Sequence, residues 1–475
     1  MTNEIWRWSA QEMAHGIRTQ SISSREAVSS VLGRVSEVNG RINAVVDLMP
    51  DEALAAADRA DRAVKNGEPL GILHGVPVTV KINIDYAGRA TTNGVVAFKN
   101  NIAKEDSPPV SNFRKAGAII FGRTNTPAFS HRGFTDNDLH GRTLNPWDPA
   151  RTPGGSSGGA SAAIASGMGP LAHGNDRAGS VRYPGYASGV LGLRPSFGRV
   201  PDYNPSATEE RGLFTQLTFV NGPLARSIPD IRLGLAALEG HDPGDPWAFP
   251  PGRRVEDLQR PIPVAMVSAV EGVQVEPEVV AAIQKAGKLL DNAGYRVEEV
   301  TPPDLREAGV MFWTLIMTEE RAASAEEKGS STRAIELYGD DAVKRVRAGN
   351  KAYAGEYDFN GYIKALARRT TILRKWRFFF KRYPLVIMPV SCMLPFVIDF
   401  DQGGNEAMRR LNEAWIPQLA VSTLGLPGLA VPTGFADGIP VGVQLVADRF
   451  QEETCFAAAE VIGAGCPIQI ANSNQ

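Results

Sequence analysis

Nine residues, Arg151-Thr152-Pro153-Gly154-Gly155-Ser156-Ser157-Gly158-Gly159, constrain this chain more than any other segment. Alone, such a string is as readily a flexible linker as a built loop. Its setting decides, because it runs straight into Ala160–Met168, a stretch of small residues without a single charge. A helix of that composition has no solvent face and must be buried. A loop feeding the centre of a core is therefore expected, with glycines that let backbone approach a ligand closely. Gly155-Ser156-Ser157-Gly158-Gly159 also satisfies G-x-S-x-G, but that elbow needs an apolar strand before it. Here Asn145–Arg151 precedes it, with Pro146 and Pro149, which excludes a central strand. A phosphate-binding loop is excluded as well, since no Gly-Lys-Ser/Thr follows.

The rest of the chain supplies a frame for such a loop. Its 475 residues can bury a large core, and 43% hydrophobic with 21% charged residues is an ordinary globular balance. Fifty basic residues against 52 acidic ones offer no long-range attraction to nucleic acid or anionic membrane. Cys392, Cys455 and Cys466 are too few for a disulfide framework and read as buried thiols in a reducing compartment. The N-terminus lacks an apolar h-region, and the uncharged stretches 152–174 and 414–436 are too rich in Gly, Ser, Ala or Pro to span a membrane. A cytoplasmic protein is expected.

Ser9-x-x-Glu12 and Ser23-x-x-Glu26 are capping boxes opening helices, and a third helix runs from about Asp51 to Asn66-Gly67. Then short apolar runs, Val76–Val80 and Ala118–Phe121, alternate with helical segments at Ser107–Ala116 and Pro277–Ala293. The expected fold class is α/β, a mixed, mostly parallel twisted sheet flanked by helices. Between 205 and 410 the pattern is weaker, with long polar helical stretches at 318–347 and 357–382. Leu429–Val431, Val441–Val446 and Glu452–Gly463 return to strand, strand and helix. The expected organisation is one domain over 1–475: helical 1–70, core 70–205, a variable middle 205–410 that shapes the substrate pocket, and a return at 411–475.

Two further segments belong with the loop. Lys81 closes an apolar strand in Gly75–Lys81, and Ser180 sits in Gly174-Asn175-Asp176-Arg177-Ala178-Gly179-Ser180-Val181-Arg182. Together with Pro153–Gly159, and supported by Asn145–Pro149, Gly192–Arg199, Gly425–Pro427 and Gly438–Leu445, the chain resembles the amidase signature family. The resemblance implies an amide hydrolase with Ser180 as nucleophile, Ser156 as proton relay after a cis Gly155–Ser156 peptide, and Lys81 as the base. It implies an oxyanion hole of the backbone N–H groups of Arg177, Ala178, Gly179 and Ser180. A serine hydroxyl needs such a neighbouring base, and an apolar setting depresses a lysine pKa in the required direction.

Three departures carry expectations. Ile82 stands where many members have Asp, which eases a neutral Lys81. Ala178 replaces a glycine and would be strained if its φ were positive. Arg177 replaces a small polar residue and is expected to pair with a surface acid. His74, His131, His140 and His173 lack metal-ligand spacing and read as packing or loop residues. The basic residues Arg368–Arg382 read as a solvated helix face over a buried aromatic stripe. Gly155, Ser157, Phe129, Ser130, Trp313 and Met317 are the substrate-contact expectations. Neither metal nor cofactor is called for. The expected partner is a small apolar or aryl amide, an ester or a carbamate, not nucleic acid or membrane, and a homodimer is compatible with the sequence. A urethane-cleaving enzyme, the glutaminase component of a tRNA-dependent amidotransferase and a binding protein without activity are the alternatives.

Overall fold

A computed structural model describes residues 4–249, 258–324 and 331–471. Both capping boxes form: the Ser9 and Ser23 hydroxyls accept from the Glu12 and Glu26 amides, and each glutamate reaches back to the cap. The helices they open, Ala10–Arg18 and Ser24–Ile42, bury Met13, Ile17, Val28, Val31 and Val35 in the main core.

Among the described residues eleven strands make one sheet. They are β1 (Val45–Leu48), β2 (Pro77–Lys81), β3 (Ile119–Thr124), β4 (Leu171–Asp176), β5 (Leu191–Arg194) and β6 (Val220–Ala225), then β7 (Pro263–Met266), β8 (Arg296–Glu299), β9 (Leu385–Met388), β10 (Gly428–Ala436) and β11 (Ile439–Val446). Their order is β1-β3-β2-β4-β6-β5-β10-β11-β9-β7-β8. The mixed sheet flanked by helices is as expected, but the parallel majority is not. Only β2 with β3 and β4, and β7 with β8 and β9, run parallel; the other six neighbour pairs are antiparallel. The reason lies in the connections. Helical crossovers link the parallel strands at both ends, whereas β10 and β11 are joined by a tight Asp437-Gly438 hairpin.

Strands β2, β3 and β4 are buried along their whole length. Packed against them is the helix Gly158–Ala165, every residue of which is buried. Gly159 shows why the helix can lie so deep: a Cβ there would stand 2.4 Å from the Asn125 backbone nitrogen. Of the polar stretch at 318–347, residues 325–330 lie outside the described residues; the remainder ends the helix Leu305–Ser324 and forms Ser331–Tyr338 and part of Asp341–Tyr353. In the helix Phe359–Arg382, Ile372, Trp376 and Phe380 are buried, while Arg368, Lys375 and Arg377 pair with Glu307, Asp304 and Asp448 on the outside. Among the described residues no helix is long and apolar enough to cross a membrane.

Candidate active site

The site forms where β2 and β4 end side by side and the glycine-rich loop crosses them. Lys81 is the last residue of β2 and fully withdrawn from solvent. Its Nζ lies 2.7 Å from Ser156 Oγ and 2.7 Å from Asn175 Oδ1. Burial pushes the Lys81 ammonium well below its ordinary range, opposed in part by the charge of Asp176. The Gly155–Ser156 peptide is cis. The loop is pinned from several sides: Thr135 Oγ1 donates to the Gly154 carbonyl and accepts from the Gly158 amide. The Ser157 amide donates to the Ser180 carbonyl at 3.2 Å, tying the loop to the turn after β4.

That turn is built around Asp176. Its carboxylate accepts from the Gly179 amide at 2.9 Å and the Val181 amide at 3.2 Å, and forms ion pairs with Arg182 and Arg194. All three charged side chains are fully buried, and the two guanidinium groups hold the Asp176 carboxyl well below the usual carboxylate range. The positive φ of the turn falls on Gly179, at 102°, and Ala178 is not among the positive-φ residues. The alanine at 178 therefore carries no strain of that kind. The Gly179 N–H, like that of Val181, is occupied by Asp176.

A cavity of about 330 Å³ opens over these groups. Ser156, Ser180, Gly155, Arg177, Ala178, Phe129, Ser130 and Trp313 all line it. Ser157 lies behind the wall, its Oγ 3.3 Å from the Asn175 carbonyl. Met317 does not face this cavity; it lines an adjoining one of about 320 Å³, because it stands one helical turn beyond Trp313. Among the described residues Arg177 forms no ion pair with a surface acid. It turns into the cavity, where Nη1 donates to Thr215 Oγ1 at 3.4 Å and Nη2 lies 3.3 Å from His131 Nε2. His131 thus belongs to the cavity wall, with burial and the Arg177 charge pushing its pKa well down.

Two residues had no role in the sequence reading. Asn175, from the Ser180 motif, accepts from Lys81, and its Nδ2 donates to Asn83 Oδ1 at 2.9 Å; Asn83 in turn donates to Ser130 Oγ. The available signal was a polar Asn-Asp pair closing a wholly buried strand.

Comparisons with known proteins identify the family. Residues 26–456 match the family model described as Amidase. An indoleacetamide hydrolase of Bradyrhizobium diazoefficiens is 42% identical over 460 residues, covering 96% of this chain and 86% of its own. The A subunit of a glutamyl-tRNA(Gln) amidotransferase from Moorella thermoacetica is 32% identical, covering 96% of each chain. Among solved structures, a bacterial aryl acylamidase of the amidase signature family superposes with a TM-score of 0.78 at 26% identity, over 97% of this chain and 96% of the other. A fold, a buried lysine–serine pair and a family match across nearly the whole length lead to one assignment: this chain is an amide hydrolase of the amidase family.

Proposed function

We propose that this chain hydrolyses small, uncharged aryl amides of the arylacetamide kind through an acyl-enzyme on Ser180, with Ser156 and Lys81 as the proton relay. The observation that carries the proposal is the buried Lys81 Nζ, 2.7 Å from Ser156 Oγ and depressed in pKa, beneath a cavity that Ser180 also lines. A neutral amine has one lone pair and two N–H groups. With one N–H donated to Asn175 Oδ1, the lone pair is free to accept from Ser156.

In the proposed sequence Ser180 Oγ attacks the amide carbonyl while its proton passes to Ser156, whose own proton passes to Lys81. The oxyanion points at the backbone N–H groups of the 177–180 turn, from which the Gly179 N–H is drawn off by Asp176. The proton returns through Ser156 to the leaving nitrogen as the C–N bond breaks and the amine departs. Water then repeats the steps on the ester, releasing the acid and restoring Ser180.

The aryl preference rests on the cavity wall, where Phe129, Trp313, Ile316, Ile335, Leu411 and Trp415 supply apolar surface beside the polar end. It is supported by relatives named indoleacetamide hydrolase at 41–42% identity. The test is release of ammonia or amine from an arylacetamide, an anilide, a matched aryl carbamate and glutamine, by wild type and Ser180→Ala. Turnover of the arylacetamide by wild type alone is expected. Preference for the carbamate or for glutamine would replace the substrate assignment, and an equally active Ser180→Ala would overturn the mechanism.

A further inference from the structure

Asn412, Trp415 and Gln418 all line the cavity. Among the described residues, the Asn412 Oδ1, the Trp415 Nε1 and both amide atoms of Gln418 are buried without a hydrogen-bond partner. Their spacing of three residues puts them on one face where the helices Gly404–Ala414 and Ile416–Leu424 run end to end through Trp415. Three side chains with unpaired polar atoms in one row are unusual, since buried polar groups are nearly always paired.

Gln418 is the member of the row that packs on the nucleophile turn. Its side chain is fully buried, and a Cβ at Gly179 would stand 2.1 Å from Gln418 Oε1. Its main chain is anchored independently, because the Gln418 carbonyl accepts from Arg182 Nη1 at 2.9 Å. Arg182 is also the residue that holds Asp176. Position and orientation of the backbone therefore do not depend on the side-chain amide, both ends of which lack a protein partner at the wall of the cavity that Ser180 also lines.

We propose that the Gln418 side chain reads the N–H of the scissile amide and makes the site selective for amides over esters. The inference rests on the amide-hydrolase mechanism proposed above. The unpaired acceptor and unpaired donor of this side chain can be satisfied together by a single group that offers both a donor and an acceptor. A carboxamide offers an N–H and a C=O, whereas an ester offers acceptors alone. With an ester bound, Gln418 Oε1 stays buried and unpaired, and a site built to receive a donor discriminates against the analogue that lacks it.

The experiment compares kcat/KM for an arylacetamide and for the methyl ester of the same acid, using wild type, Gln418→Met and Gln418→Glu, with thermal unfolding of each. Met keeps the volume and removes both polar atoms; Glu keeps an acceptor. In Gln418→Met the amide kcat/KM is expected to fall about 10- to 100-fold while the ester value stays within about threefold, and Gln418→Glu is expected to keep part of the amide preference. Equal losses on amide and ester would mean a packing role and overturn the proposal, as would an unchanged ratio. Should Gln418→Met not fold, Gln418→Glu decides alone: an amide-to-ester ratio that falls below that of wild type without vanishing supports the inference, and an unchanged ratio overturns it. A wild type active on neither compound overturns the amidase mechanism too, whereas an unmoved ratio in an active variant overturns this inference only.

Discussion

Lys81 Nζ and Ser156 Oγ meet at 2.7 Å in a place where the lysine has no access to water. An ammonium there gives up its hydration for the charge of Asp176, which is itself paired with Arg182 and Arg194. Desolvation outweighs that charge and pushes the ammonium well below its ordinary range. Lys81→Met keeps an apolar chain of similar volume and removes the acceptor. Activity on the best amide is expected to fall by about 10²–10⁴-fold, with the thermal midpoint changed little, as measured by steady-state kinetics and calorimetry.

The same depression fixes the sign of the pH dependence. In the proposed relay only neutral Lys81 accepts the proton, so kcat/KM is expected to rise with pH as the amine deprotonates. Because burial lowers the pKa from 10.5, that rise is complete well below the ordinary lysine range. A pH–rate profile whose acid limb sat near 10.5 would contradict a buried neutral base.

Gly179 and Ala178 are expected to respond in opposite ways to exchange. Gly179→Ala places a Cβ 2.1 Å from Gln418 Oε1 at a φ of 102°, and should cost at least about 1–3 kcal/mol of stability together with most of the activity. Ala178→Gly, at a residue without positive φ, should leave turnover within a few fold. Denaturant unfolding and kinetics on the two variants check this.

Asp176→Asn leaves Arg182 and Arg194 buried without their counter-charge. Breaking a buried pair from one side costs about 3–5 kcal/mol, so the variant is expected to unfold at clearly lower denaturant concentration. Its activity should fall as well, because the Gly179 and Val181 amides lose their charged acceptor.

His173 contributes a second pH effect, on stability. Its Nε2 meets Asn221 Oδ1, it is fully buried, and desolvation pushes its pKa to about 4 from 6.5. Between those values the unfolded chain binds a proton that the folded chain does not. The stabilising effect of high pH is therefore lost as pH falls from 6.5 toward 4, by up to about 3 kcal/mol. Unfolding free energies at about pH 7.5 and 5 are expected to differ less in His173→Gln than in wild type.

Much of this was legible in the chain. Capping boxes at Ser9 and Ser23, the strand ending at Lys81 and the uncharged helix around Ala160 follow from local pattern, and the structure has each where it was expected. The parallel majority was misjudged because alternating strand and helix does not reveal that β5, β6, β10 and β11 return on one another. Met317 and Trp313 lie four residues apart on one helix, yet the rise of one turn between them carries Met317 past the first cavity and into the adjoining one.

The sequence by itself determined which segments meet at the site, since the strand of Lys81, the Ser156 loop and the Ser180 turn are local motifs whose identity needs no long-range contact. Only the tertiary structure decided what surrounds them. Asn175 against Lys81, Arg177 turned toward His131 rather than outward, and Gln418 against Gly179 all join segments that are far apart in the chain or packed across the cavity. The pKa of Lys81 belongs to the same class. It depends on how completely water is excluded by packing from every side, and no stretch of sequence contains that information.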